Sequence, residues 1–381
     1  MKDSAALRRA MIAVLLVVLA SGCGDNAGDG RTSARTWVVT ENLDAASFMS
    51  ALLYSDDRGA HWNTAFTATD ELRAIAFSSP TVGIAVGNGI IVRTTTGGLE
   101  WSIVREASGE NLNSVAFSGT HGFAVGSITS AGSSDRLVLE TTDCGAHWEV
   151  ATIPQRSEGD VTAFPSPELD AVCFSADDTV LAVGRAVGAL SGHPFPPLVR
   201  SQALRRDTTG WIDISDEFLP ASGLNALSCL DDGEVWATGA GSFRSSDAGH
   251  TWSDESASLV SIGSPATGIA FADPLHGWVV GATPIEITPT TSLPRAFLAH
   301  TTDGGQSWVP ATLGTDSQIS SSGLNAVALA PDGSFAFAGG FAQPGGALGF
   351  VSIDGVRWRR IVLSSTGEVL NVVIVDRPES G

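Results

Sequence analysis

One carboxylate recurs at a fixed place in a short pattern: a hydroxyl residue, any residue, Asp, any residue, Gly, two further residues and Trp. The pattern, called here the Asp motif, occupies residues 55–62, 141–148, 245–252 and 301–308. Its carboxylates and tryptophans are Asp57, Trp62, Asp143, Trp148, Asp247, Trp252, Asp303 and Trp308. Such aspartates could serve as general acids or as metal ligands, and histidine stands in three of the copies. A catalytic group is needed once, however, whereas a tight turn is needed in every repeat. We therefore interpret the carboxylate as a staple that accepts backbone hydrogen bonds within its own loop.

Three degenerate copies, at residues 94–101, 205–211 and 352–358, complete the series. The spacing of the tryptophans is that of propellers and solenoids. Between the copies the chain reads as short apolar and β-branched runs bounded by Gly, Asp and Ser, which is the signature of strands. No long segment has the 3.6-residue period of a helix.

The strands repeat as a four-part unit, here parts a to d, with the Asp motif as the turn between c and d. The unit is out of phase with the chain, because the first copy lacks part a and residues 370–375 supply a lone part a at the end. A closed ring pairs this last run with residues 36–40 and removes the unpaired edges of an open array. The sequence therefore predicts an all-β, seven-bladed β-propeller over residues 36–376, followed by a tail at 377–381.

The first 22 residues predict a secretory signal peptide, with a basic start and an apolar run too short to span a membrane. The residues before Cys23 resemble a bacterial lipobox, which implies cleavage there and a lipid on the Cys23 sulfur. Residues 23–35 then read as a flexible tether rich in Gly, Asp and Ser. We expect a protein of the bacterial cell envelope, anchored to the membrane by its lipid. Gly24 favours the outer membrane over the inner.

The formal charge of −20 excludes nucleic-acid binding, which needs a basic surface. The glycine-rich stretches lack the Lys and the following helix of a phosphate loop, and no Cys or His spacing is that of a zinc site. We expect no cofactor and no metal. Cys173 and Cys229 lie on neighbouring part-a runs, and both a disulfide and two buried thiols are open.

The unit at residues 324–327, the Val-Gly turn and the Asp motif at 301–308 together resemble the repeat of photosystem II assembly and stability factors. Those proteins are seven-bladed propellers related to the bacterial neuraminidase, or Asp-box, repeats, and the resemblance covers residues 36–375. It implies a non-catalytic scaffold that binds a protein partner. Members of the family bind through an arginine-rich patch, whereas the arginines of this chain are scattered.

The alternative is a divergent glycoside hydrolase of the sialidase type, or a glycan-binding protein. Sialidases use a tyrosine nucleophile with a carboxylate. The single tyrosine, Tyr54, directly precedes an Asp motif and is therefore expected at the turn side of its blade. We expect no enzymatic activity.

A binding face is predicted at the end of the ring opposite the Asp motifs, where the loops vary most in length. The second residue of each part a is polar and is expected to line the channel mouth, either as ties between blades or as the floor of a cup. These residues are Arg73, Asn113, Asp170, Asn225, Thr267, Asn325 and Asn371. His193 and Phe195, in the most distinctive loop, complete the predicted face.

Overall fold

The computed structural model shows an all-β protein, with 26 strands among the residues that it describes. It describes residues 34–41, 49–130, 133–156, 166–188, 198–218, 223–260, 262–263, 265–288, 291–311, 313, 322–331, 333, 335–342, 346–355, 357–363 and 367–376. The signal peptide, Cys23, most of the tether, His193, Phe195 and the tail at 377–381 lie outside these residues.

Among the described residues, five sheets have four antiparallel strands each. Their strands, each sheet in its hydrogen-bonded order, are β26 (Glu368–Asp376), β1 (Ala34–Glu41), β2 (Ser50–Ser55) and β3 (Asn63–Ala68); β10 (Ser166–Phe174), β11 (Val180–Gly188), β12 (Leu198–Asp207) and β13 (Gly210–Asp213); β14 (Leu224–Cys229), β15 (Val235–Gly239), β16 (Ser242–Ser245) and β17 (Ser253–Asp254); β18 (Ala266–Phe271), β19 (Gly277–Thr288), β20 (Thr291–Thr301) and β21 (Val309–Pro310); β22 (Ser322–Leu329), β23 (Ala336–Ala342), β24 (Ala347–Ser352) and β25 (Arg359–Val362).

The sixth sheet has six strands and corrects the predicted blade count. In order, these are β4 (Leu72–Phe77), β5 (Gly83–Thr94), β6 (Ser102–Ser118), β7 (His121–Ser130), β8 (Ser133–Thr141) and β9 (Glu149–Val150). Strand β6 pairs with β5 through its first half and with β7 through its second half, so two predicted blades share one sheet. Gly89 and Gly109 adopt positive φ, which lets the backbone bend without leaving the sheet. The protein is therefore a six-bladed β-propeller, and the prediction of seven blades is wrong.

The pairing predicted between the two ends of the chain is confirmed. Strand β26 is antiparallel to β1, with Thr36 opposite Ile374 and Val38 opposite Val372. This sheet therefore combines the beginning and the end of the described chain.

The apolar core lies between adjacent sheets. The innermost strands contact one another in a closed circuit, in the order β26, β4, β6, β10, β14, β18, β22 and back to β26. Large side chains such as Trp37, Phe123, Phe271 and Phe337 are fully buried between sheets. A disulfide joins Cys173 in β10 to Cys229 in β14, so one of the two alternatives left open by the sequence is settled.

Helix is scarce in the part of the chain that the structure describes, as predicted. It comprises an α-helix at Ser256–Val260 and 3-10 turns at Ala176–Asp178 and Ser215–Phe218. None of the described helices is long and apolar enough to cross a membrane.

Candidate binding face

A β-bulge recurs near the start of six inner strands, and the polar side chains predicted from the sequence occupy it. In each case the strand register shifts around a single residue. These residues are Arg73, Asn113, Asp170, Asn225, Thr267 and Asn325. A bulge leaves one residue out of the ladder and redirects its side chain. The shared bulge makes these six positions structurally equivalent.

Four of the bulge residues tie one inner strand to the next by donating to a main-chain carbonyl. Asn113 Nδ2 donates to Leu169 O at 3.0 Å, and Asn225 Nδ2 donates to Ala266 O at 2.9 Å. The other two such bonds run from Thr267 Oγ1 to Leu324 O and from Asn325 Nδ2 to Val369 O. Each acceptor directly precedes the next bulge, so these side chains serve as ties between neighbouring inner strands.

Asn371 is not equivalent to the other six residues, contrary to the prediction. In β26 the register shift skips Leu370, because Val39 pairs with Asn371 while Thr40 pairs with Val369. Asn371 therefore lies one position later, where its Oδ1 accepts a hydrogen bond from Ile75 N at 3.3 Å. The physical reason is the placement of the bulge, which depends on pairing with β1 and is invisible in the local pattern.

A chain of charged groups connects the bulges of β4, β6 and β10. Both Arg73 and Arg185 are held by a glutamate, since Arg73 donates to Glu71 and Arg185 Nε donates to Glu168 Oε1 at 2.8 Å. Arg73 Nη1 also donates to Asn113 Oδ1 at 2.9 Å. Both arginines are therefore engaged in internal bonds beside the bulges, Arg73 from β4 and Arg185 from β11.

Asp170 is fully buried at the centre of this network. Burial raises its pKa well above the usual value, although the Arg185 guanidinium opposes that effect. Arg185 Nε lies 3.8 Å from Asp170 Oδ2. Repulsion from Glu168 also raises the pKa of Asp170.

A second carboxyl group with a raised pKa lies at the seam between the chain ends. Glu41 and Glu368 are cross-strand partners, and both are buried. Burial and the neighbouring Glu41 charge raise the pKa of Glu368 to about 8. The two side chains are hydrogen-bonded to each other, and Asn325 Nδ2 donates to Glu368 Oε2 at 3.4 Å. A shared proton at this seam is the chemical consequence.

The sequence prediction did not include Glu41, Glu71, Glu168, Arg185 or Glu368. One signal was present, because Glu immediately precedes the first apolar residue of the inner strand in three repeats, at Glu71, Glu168 and Glu368. Recognising it requires the bulge alignment, which the sequence alone does not supply.

The four full Asp motifs form closed turns of one design. In each, the hydroxyl oxygen of the first residue accepts the N–H of the Gly four positions later, as from Gly305 to Thr301 at 2.9 Å. One oxygen of the Asp accepts this hydroxyl and a backbone N–H of the loop. The His61 backbone N–H, with its ring, lowers the pKa of Asp57 to about 2. These bonds are those of a turn staple.

The turns of both the full and the degenerate Asp motifs also receive hydrogen bonds from the neighbouring repeat. Arg35 donates to Gly97 O, Arg93 to Cys144 O and Arg205 to Gly249 O. Trp236 Nε1 donates to Gly304 O, and Trp278 Nε1 donates to Gly355 O. The turns are therefore both closed within themselves and latched to adjacent repeats.

An open cleft lies at the face opposite the Asp-motif turns, where the outer edge of the six-stranded sheet approaches β12 and β13. After the bond from Ala151 N to Val138 O, residues 151–156 form no further strand pairing. Two adjoining hollows lie beside this segment, and Gln155 lines both of them. The first hollow has a volume of about 310 Å³, and its walls include Ile128, Leu137 and Ile153. The second, of about 210 Å³, is lined entirely by polar residues: Gln155, Arg156, Arg200, Gln202, Asp213, Ser215 and Asp216.

Arg136 lies at the first hollow and ties the two sheets together. Its Nη1 donates to Asp213 Oδ2 at 2.7 Å, and its Nη2 donates to Pro154 O at 2.9 Å. The residue is buried, and its Nε is enclosed without a hydrogen-bond partner in the described part of the chain. Arg136 is therefore an internal brace of the cleft wall.

The residues that a hydrolase or metal site would use are placed elsewhere. Tyr54 is half-buried, with the Arg35 guanidinium 4.3 Å from its ring centroid and Trp37 packed beside it. His61 and His147 each contact the Asp of their own turn. Among the described residues, no group of three or more His, Cys, Asp or Glu is arranged to hold a metal ion.

Comparison with known proteins identifies the fold. No family model and no curated protein matches the chain. A structure of YCF48 bound to D1 peptide is 15% identical, with a TM-score of 0.50 over 89% of this chain and 98% of that one. A protein from Lactobacillus plantarum is 11% identical, with a TM-score of 0.56 over 90% and 99% of the two chains. A putative 6-phosphogluconolactonase from Bacteroides fragilis is 9% identical, with a TM-score of 0.55 over 92% and 100%. Because these identities are low, the comparisons show that the chain has a β-propeller fold.

Proposed function

We propose that the protein is a non-catalytic scaffold that binds a protein partner at the face opposite the Asp-motif turns. The observation that carries this proposal is the open cleft at residues 151–156, with its two adjoining hollows. Concave sites with a few well-placed polar groups are where proteins hold ligands.

The polar ring at the inner strands supports a scaffold in a different way. Asn113, Asn225, Thr267 and Asn325 bind backbone carbonyls, and Arg73 is held by Glu71. Side chains engaged in this way fix the sheets relative to one another. They make a rigid base for the cleft, whose second hollow is lined by polar side chains.

The arrangement of the carboxyl groups favours a binder over a glycoside hydrolase. Hydrolases of that kind hold two carboxyl groups about 5 Å or more apart, with the sugar between them. Glu41 and Glu368 are instead in direct hydrogen-bond contact and buried. Tyr54 is covered by Arg35 rather than presented as a nucleophile.

The likeness to YCF48 bound to D1 peptide, together with the repeat that resembles photosystem II assembly factors, supports a protein as partner. The likeness is one of fold. The proposed partner is therefore described by the face of the propeller that it contacts.

The working face is tested by site-specific photo-crosslinking with benzoylphenylalanine placed at Gln155 or at Gln306. Both residues are exposed glutamines, and Gln306 lies in an Asp-motif turn at the opposite face. We expect a discrete crosslinked protein, identified by mass spectrometry, from the Gln155 variant and none from the Gln306 variant. Crosslinking from Gln306 alone would place the working surface on the other face and refute the proposal.

We also propose that the scaffold is anchored to the cell envelope by a lipid on Cys23, with residues 24–33 as part of its tether. The support is the signal-like start of the chain and the lipobox-like residues before Cys23. The Cys23→Ser variant should be released from the membrane fraction or remain unprocessed. A correctly processed variant that still sediments with membranes would contradict the anchor.

A further inference from the structure

We infer that the two hollows accept one extended peptide segment, with an aliphatic side chain in the hollow beside Arg136 and an uncharged polar side chain in the hollow beside Gln202. The inference rests on the proposed function and adds the chemistry of the partner.

The hollow beside Arg136 has aliphatic walls. Ile128, Leu137 and Ile153 present hydrocarbon surface, whose burial against an aliphatic group is favourable. Arg136 is 4% exposed and braces this hollow through its bonds to Asp213 and Pro154. The hollow therefore favours an aliphatic side chain of the ligand over a charged one.

The hollow beside Gln202 has balanced charge. Arg156 and Arg200 contribute two positive charges, and Asp213 and Asp216 contribute two negative charges. A charged ligand group therefore gains no net attraction here. A hydroxyl or amide suits these surroundings better, because it carries no net charge and both donates and accepts hydrogen bonds. This favours Ser, Thr, Asn or Gln.

The hollows adjoin at Gln155, yet one is largely aliphatic and the other entirely polar. A single ligand that fills both must change chemistry along its length. An extended peptide does so readily, since its side chains differ from residue to residue and alternate in direction.

The test uses a phage-displayed library of random peptides selected on the full chain, followed by a synthetic consensus peptide labelled for fluorescence anisotropy. The expected consensus carries an aliphatic residue and an uncharged polar residue at a constant spacing. The Gln155→Trp variant should weaken binding at least about tenfold, because the indole obstructs the junction of the hollows. The matched Gln306→Trp variant, on the opposite face, should bind as the wild type does.

A second variant examines the polar hollow by itself. Gln202 is 4% exposed, and its Nε2 donates to Ser201 O at 3.1 Å. Gln202→Leu keeps the approximate size of the side chain and should weaken the consensus peptide about tenfold, the effect of about one lost hydrogen bond. Replacing the polar residue of the peptide by Ala should remove most of this difference, as a double-mutant cycle measures. Near-ultraviolet circular dichroism verifies that the variants are folded.

Three outcomes would overturn the inference: no enriched peptide, a strongly charged consensus, or equal binding to wild type and Gln155→Trp. A dimer by light scattering that Gln155→Trp dissociates would identify a second copy of the chain as the occupant and would also overturn it. If crosslinking from Gln155 still captures a partner in any of these cases, the proposed function stands and only the peptide chemistry fails. Crosslinking confined to Gln306 would refute both.

Discussion

At the scale of single residues, the Asp motif is held together more by its hydroxyl than by its carboxylate. Thr301 is 2% exposed, and its Oγ1 accepts the buried Gly305 N–H. Asp303 receives its bonds from Ser307 in an exposed part of the turn. An unmet donor inside the protein costs more than one that water can reach. Removing the Asp303 carboxylate is therefore expected to cost less stability than removing the Thr301 hydroxyl.

The residue-scale prediction compares Thr301→Val with Asp303→Ala. Thr301→Val should lower the free energy of unfolding by about 1–3 kcal/mol, because it leaves the buried Gly305 N–H without an acceptor. Asp303→Ala should lower the free energy of unfolding by only about 1 kcal/mol. Chemical denaturation measures both changes.

The control for this pair is Thr302→Val, the same substitution at the adjacent exposed position. It should leave the unfolding free energy within about 0.5 kcal/mol of the wild type. A larger loss for Asp303→Ala than for Thr301→Val would show that the carboxylate is the main support of the turn.

At the scale of elements, the seam between β1 and β26 carries the buried Glu41–Glu368 pair. Glu71 contributes further negative charge, and Asn325 donates a hydrogen bond to Glu368. With a pKa raised from 4.5 to about 8, the folded protein binds a proton that the unfolded chain releases across this range. Stability must therefore fall as pH rises from about 4.5 to about 8.

The element-scale prediction is that Glu368→Gln flattens this pH dependence. Gln keeps a neutral group of similar size, so the variant should be more stable than the wild type near pH 8. The gain should reach as much as about 5 kcal/mol, since each pKa unit corresponds to about 1.4 kcal/mol. Urea denaturation at several pH values between 4.5 and 8.5 measures the difference.

The matched control is Glu100→Gln, which changes an exposed glutamate outside the seam. Its pH profile should parallel that of the wild type. If Glu368→Gln were equally parallel, the seam carboxyl would titrate normally in the folded protein, and the shared proton would be refuted.

At the scale of the whole molecule, stability depends on closing the ring of sheets with the end of the chain. Strand β26 covers one edge of β1 and contributes buried side chains, among them Val372 and Ile374. It also contacts β22 and β4, the inner strands on either side. Its loss would expose a sheet edge and apolar surface in two interfaces.

The whole-molecule prediction is that deleting residues 368–381 abolishes cooperative folding, as measured by thermal unfolding and limited proteolysis. Deleting only residues 377–381 leaves β26 intact and should leave the melting temperature nearly unchanged. A cooperative transition near the wild-type temperature after the longer deletion would show that the ring is stable without its closing strand.

The sequence by itself determined the strand content, the repeated turn and the pairing of the two ends, because these follow from local patterns and from the phase of the repeat. Apolar runs specify strands through side-chain alternation, and Asp303 with Trp308 specifies a turn within eight residues.

Only the tertiary structure decided the number of sheets, since the joining of two repeats depends on hydrogen bonds that continue through β6. The bulge at Leu370 likewise depends on register with β1, and the Glu41–Glu368 pair exists only because the chain ends meet. The cleft forms where residues 151–156 leave β8 and approach β12 and β13. Each of these features joins segments that are distant in the sequence, so no local pattern records it.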